Sequence, residues 1–85
     1  AAPEVQPIAD PSEVLPPPAA RRRHILRQLD GTAWWIDGSD HRHWISTAEV
    51  WDCLGGDRNL VPKQVPGYAI ASLARGSHAR CSDAY

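Results

Sequence analysis

The residues equipped to grip a ligand gather between Trp34 and Trp44, in the stretch WWIDGSDHRHW. An indole face stacks on the C–H face of a sugar ring, Arg and His donate to hydroxyl or phosphate oxygens, and a carboxylate accepts from hydroxyls. On that chemistry Trp35 and Trp44 are expected to stack, Arg42 and His43 to donate, and Asp40 to accept. The opposing reading is that each Trp fills a small core, because the chain has four Trp and neither Phe nor Met.

Other chemistry finds less support in the same stretch. His41 and His43, two apart on a strand, would share a face and could hold zinc together with Asp40. Polar residues are expected around a turn in any case, and no third His or Cys has ligand-like spacing, so no metal or cofactor is assigned. Ser39-Asp40-His41 and Ser77-His78 contain nucleophile and base types. Adjacency in sequence does not bring a nucleophile, a base and its orienting group into mutual hydrogen-bond reach. A domain this small also has little room for a cleft flanked by two acids. The chain is therefore read as non-enzymatic.

Cys53 and Cys81 lack the paired C-x2-C units of zinc sites, so a disulfide is the economical reading. By loop entropy, a bridge closing about 29 residues stabilises the fold by roughly 3 to 4 kcal/mol. It would also place the protein outside a reducing cytosol.

These residues need a frame, and the periodicity predicts an α+β one. Apolar and polar residues alternate on both sides of Asp37-Gly38, which signals two antiparallel strands over about 32–37 and 41–45. An even loop would put Trp34, Ile36, His43 and Ile45 on one face and Trp35, Arg42 and Trp44 on the other. That register is favoured because it buries both Ile residues together. Residues 22–28 read as a strand or a single helical turn, with the strand favoured because three strands are more stable than a lone hairpin. The expected fold is thus a small β-hairpin or three-stranded antiparallel sheet with two short helices.

The first helix is expected to start at Ser46, where Ser46-Thr47-Ala48-Glu49 fits a capping box. Val50, Trp51 and Leu54 would give it an apolar face, and Gly55-Gly56 would stop it. Residues 60–65 read as a short extended segment in which Pro62 argues for an edge position or none. A second helix is expected over Gly67 to Ala74, opened by Pro66 and closed by Arg75-Gly76. The tail, 77–85, would fray unless fastened by Cys81.

Composition bounds what this frame can do. Eighty-five residues allow one small domain. Residues 1–20 hold six of the eight Pro and no aromatic residue, so they read as an extended linker, with residues 21–85 as the folded module. The linker carries a net charge of -3 and the module +2, too little for a nucleic-acid binder. Arg21, Arg22 and Arg23 form the one basic run, either a solvated entry to the first structured element or an anchor for phosphate or an acidic polymer. No apolar run approaches the length of a membrane span, and residues 1–20 lack the pattern of a signal peptide. Without an initiating Met, the chain reads as a processed product or a piece of something longer.

One resemblance sharpens the functional expectation. Gly31, Trp34, Trp35, Ile36, Asp37, Gly38, Arg42, His43 and Ile45, then Val65, Pro66 and Gly76, follow an order of residues that covers about 29–76. This order resembles a short Trp/Gly-rich module of secreted and surface proteins of actinobacteria, including mycobacteria, and of their phages, in C-terminal parts of lysins and tail proteins. The resemblance implies an accessory extracellular module appended to another domain, with no catalytic set to transfer. Trp44 and Trp51 depart from the pattern. The leading expectation is a non-catalytic module that targets a larger secreted or phage protein to cell-wall glycan, polysaccharide or peptidoglycan. The alternative is a protein-interaction domain of a virion or surface assembly.

Overall fold

The computed structural model describes residues 11–84. Its centre is a four-stranded mixed sheet in the order β1 (His24–Arg27), β2 (Ala33–Ile36), β3 (His41–Trp44), β4 (Ala74–Arg75). The first three strands are antiparallel, and β4 runs parallel to β3. Short helices α1 (Pro11–Val14), α2 (Pro18–Arg21), α3 (Ala48–Cys53) and α4 (Gly67–Ala71) complete it, with 3-10 turns at Gly56–Asn59 and Cys81–Ala84. The α+β class stands, and the third strand expected at 22–28 is β1, with Ile25 opposite Trp35 and Leu26 opposite Trp34.

The hairpin register differs from expectation by one residue. Trp34 faces Trp44, Trp35 faces His43 and Ile36 faces Arg42, leaving a three-residue loop of Gly38, Ser39 and Asp40. The cause is local. The Asp37 carboxylate accepts from the N–H groups of Ser39 (2.8 Å) and His41 (3.0 Å), and Asp40 adopts φ 67°, so a type I turn followed by a left-handed residue wins over the two-residue turn. An odd loop reverses every side chain of β3 relative to β2. Trp34, Ile36, Arg42 and Trp44 therefore share one face, and Trp35, His43 and Ile45 the other.

Both faces of the sheet are covered as a result. On the first, Leu26, Trp34 and Ile36 pack with Leu15, Val65, Ala69, Ile70 and Leu73. On the second, Ile25, Ala33, Trp35 and Ile45 pack with Leu54 and Ala79, flanked by Val50, Trp51 and Leu60. The two Ile residues of the hairpin are both buried, but on opposite sides.

The helices also shift against expectation. The cap of α3 is Thr47, whose Oγ1 accepts from Val50 N–H at 3.2 Å, so Ser46 and Glu49 do not form the expected reciprocal box. Gly55 (φ 101°) and Gly56 (φ 47°) turn the chain out of α3 as predicted, and a Cβ on Gly56 would lie 2.6 Å from Trp51 Nε1. Helix α4 stops at Ala71, earlier than expected, where the Ser72 hydroxyl donates to Ala69 O at 2.6 Å. The next residues become β4, which covers the outer edge of β3 and satisfies its backbone, with Gly76 N–H donating to Arg42 O at 2.8 Å. Residues 60–65 run along the free edge of β1 through bridges at Ile25–Leu60 and Gln28–Val65, the edge position Pro62 requires.

The expected linker joins the fold from Pro11 onward, while residues 1–10 lie outside the described part. Leu15 is only 8 % exposed and belongs to the first core cluster. Arg21 Nε donates to Asp40 Oδ1 at 2.8 Å, its Nη2 pairs with Asp40 Oδ2, and its Nη1 reaches Pro16 O at 2.8 Å. A Pro-rich stretch can dock when one apolar residue and one charge find partners, and here both do. Cys53 and Cys81 are joined in a disulfide with a Cα–Cα distance of 5.1 Å, inside the usual range. Among the described residues no helix is long and apolar enough to cross a membrane.

Candidate functional site

The register decides where the five expected binding residues lie. Trp35, on the second face of β2, is 4 % exposed and packs with Ile45 and Leu54. Trp44, on the first face of β3, is 37 % exposed and meets His78 edge-on at 5.0 Å. The two indoles expected to stack side by side are thus on opposite sides of the sheet, and only Trp44 offers a ring to solvent. Arg42 accompanies Trp44 on the first face, its guanidinium 4.6 Å from the centre of the Trp34 ring. Asp40 is engaged by Arg21, with Arg22 Nε at 4.0 Å, so its oxygens serve the fold before any hydroxyl. Those pairings also place two members of the basic run against Asp40.

His43 faces the second side, where both ring nitrogens meet acceptors. Nε2 lies 2.7 Å from Asp37 Oδ2 and Nδ1 lies 2.7 Å from the main-chain oxygen of Ser77. A carboxylate and a carbonyl can only accept, so the geometry is satisfied by the imidazolium with both N–H groups present. Burial pulls the His43 pKa down, but Asp37 and Ser77 outweigh it and hold it above the ordinary value. Burial likewise pushes Asp37 up, and the hydrogen bonds from His43, His41 N–H and Ser39 N–H reverse this to leave it below the usual carboxylate range. Asp40 is lowered chiefly by its hydrogen bonds from Arg21. In its protonated form a histidine held this way has no lone pair for a metal or a substrate proton. Ser77, its neighbour, contributes a carbonyl oxygen to the pair. Among the described residues no three His, Cys, Asp or Glu side chains are grouped to hold a metal ion.

A cleft opens beside this pair. It has a volume of about 340 Å³ and is lined by Arg23, Trp35, Asp37, Leu54, Asn59 and Asp83. Three separate elements build it. Arg23 (φ 63°) turns the chain from α2 into β1, with its guanidinium beside Gly38 of the hairpin loop. Asn59 closes the 3-10 turn after α3, where its Nδ2 donates to Leu54 O at 3.0 Å and its own amide oxygen has no described partner. Asp83 arrives from the tail, because the Cys53–Cys81 bridge ties the last 3-10 turn to α3, and one of its oxygens accepts from Arg80 N–H at 2.8 Å. The result is a mostly polar recess in which Trp35 and Leu54 contribute a small apolar patch, with a volume at the lower end of the usual range for small-ligand sites.

Sequence reasoning places Trp35 at this site but misses Arg23, Asp37, Asn59 and Asp83. The available signals were the end of the basic run, the turn after Gly55-Gly56, and the closeness of Asp83 to Cys81. No protein-family model, curated protein or solved structure matches this chain.

Proposed function

We propose that the chain is a non-catalytic binding module that docks a larger secreted or phage protein onto bacterial cell-wall glycan, with the cleft beside the hairpin turn as the glycan site. The observation that carries this reading is a cavity that brings Arg23, Asn59 and Asp83, with hydrogen-bonding groups unpartnered among the described residues, beside the edge of the Trp35 indole. Among the described residues Asn59 keeps its amide oxygen and Asp83 a second carboxylate oxygen for hydroxyl donors, and Arg23 its guanidinium N–H groups for hydroxyl oxygens. Trp35 is 4 % exposed and offers this site a small apolar patch, not a stacking platform. The non-catalytic part rests on His43, whose ring nitrogens are both engaged. The disulfide supports a location outside the reducing cytosol, at the envelope or on a virion, and the resemblance over 29–76 supports the cell wall as target.

A pull-down with purified cell walls tests this. Asn59→Ala combined with Asp83→Ala should weaken binding by about tenfold or more, as expected for losing two polar contacts. Near-UV circular dichroism confirms that the variant stays folded. Wild-type binding by that folded double variant would remove the cleft from consideration. Trp44 favours the second reading, a protein-interaction surface of a virion or surface assembly, because it is a large exposed aromatic side chain on the sheet. If Trp44→Ala abolishes attachment while the cleft variant retains it, that reading replaces the first.

A further inference from the structure

The face of the sheet opposite the cleft carries an arrangement that glycan binding does not use. Arg42 on β3 and Arg75 on β4 are register partners on neighbouring parallel strands, about 4.8 Å apart in the hydrogen-bonding direction. Both guanidiniums lie over the same indole, that of Trp34, with Arg42 at 4.6 Å from the ring centre and Arg75 at 6.0 Å. The ring attracts each cation through its face and so holds the pair in place. It does nothing for their N–H groups or for the repulsion between like charges.

Neither Arg has a hydrogen bond or an ion pair from its side chain among the described residues, and Arg42 Nε is buried without a partner. The carboxylates nearby in sequence are committed elsewhere, Asp37 to His43 and Asp40 to Arg21. Two guanidiniums from register-partner residues, both held against one ring and with no counter-charge among the described residues, are poised for an anion.

We propose that Arg42 and Arg75, seated on Trp34, bind a phosphate group. Guanidinium forks match oxyanions with two parallel N–H bonds each. One fork occupies both oxygens of a planar carboxylate, whereas a tetrahedral phosphate presents enough oxygens for two forks at once. The doubled charge likewise fits phosphate better than a single carboxylate. This site stands apart from the glycan cleft and does not depend on it.

The test is a titration of the full chain with inorganic phosphate, dimethyl phosphate and acetate at matched ionic strength, followed by the side-chain N–H signals of Trp34, Arg42 and Arg75 in NMR. The expected result is a saturable shift with inorganic phosphate, whose charge and free oxygens match both forks, and none with acetate. Arg75→Gln, at an exposed position, should weaken phosphate binding by about tenfold with the rest of the spectrum unchanged. Arg42→Gln should do the same, and the Asn59→Ala plus Asp83→Ala variant should bind phosphate like the wild type. Saturation by dimethyl phosphate assigns the site to a phosphodiester chain, and saturation by inorganic phosphate alone assigns it to a free or terminal phosphate. Absence of saturation with either phosphate, equal saturation by acetate, or undiminished binding in Arg75→Gln overturns the proposal.

Discussion

His43 illustrates how a side chain that looks reactive in a sequence becomes structural. Between Asp37 and the Ser77 carbonyl, with its side chain 14 % exposed, it ties the hairpin turn to the strand-to-tail connection. Because its folded pKa is raised, the stability it contributes is fully present below about pH 6.5, its unfolded value, and fades as pH climbs through the higher folded one. Asp37 works the other way. Its lowered pKa contributes stability above about pH 3.9 that fades as pH falls through the folded value. Urea midpoints measured from pH 5.5 to pH 9 should therefore decline in the wild type and stay nearly flat in His43→Gln. An equally steep decline in His43→Gln would assign the titration to another group. The misplacement of Trp35 has an equally local origin: residue types at 34–45 were legible, but the parity of the loop rested on the carboxylate of Asp37 capturing two N–H groups.

The strands were easier to read than the helices. Alternation of apolar residues is a property of the strand itself, so β1, β2 and β3 fall where expected. Helix ends depend on competition between neighbours of similar chemistry. Thr47 takes the capping role from Ser46, and β4 claims residues that periodicity alone would extend from α4. The least legible element was the docked part of the Pro-rich segment, whose composition signals a spacer and whose attachment rests on Leu15 and Arg21. Leu15→Ala should cost about 2 to 4 kcal/mol in chemical denaturation, the range for emptying a buried Leu site. A change below about 0.5 kcal/mol, typical of surface substitutions, would return this segment to the status of a tether.

A chain this short gains much from being cross-linked, and covering both faces of the sheet demands that its tail be held down. The Cys53–Cys81 bridge does so, bringing Ala79 into the second core cluster and Asp83 into the cleft. Replacing both cysteines by Ser should lower stability by about 3 to 4 kcal/mol on the loop-entropy account. It should also alter the cleft, so the urea midpoint and the amide signals of Asn59 and Asp83 should move together. Loss of stability with those signals unmoved would separate the staple from the site.

Local interactions explain which features were already legible from the residues in order: α+β class, the hairpin, the stop at Gly55-Gly56 and the pairing of two cysteines. Each follows from near neighbours or from a count of two. The faces of the sheet, the engagement of Asp40 and His43, the docking of Leu15 and the meeting of Arg23, Asn59 and Asp83 depend on residues far apart in the chain. Such contacts are set by which surfaces exclude water together, and a shift of one residue in a single turn is enough to exchange them.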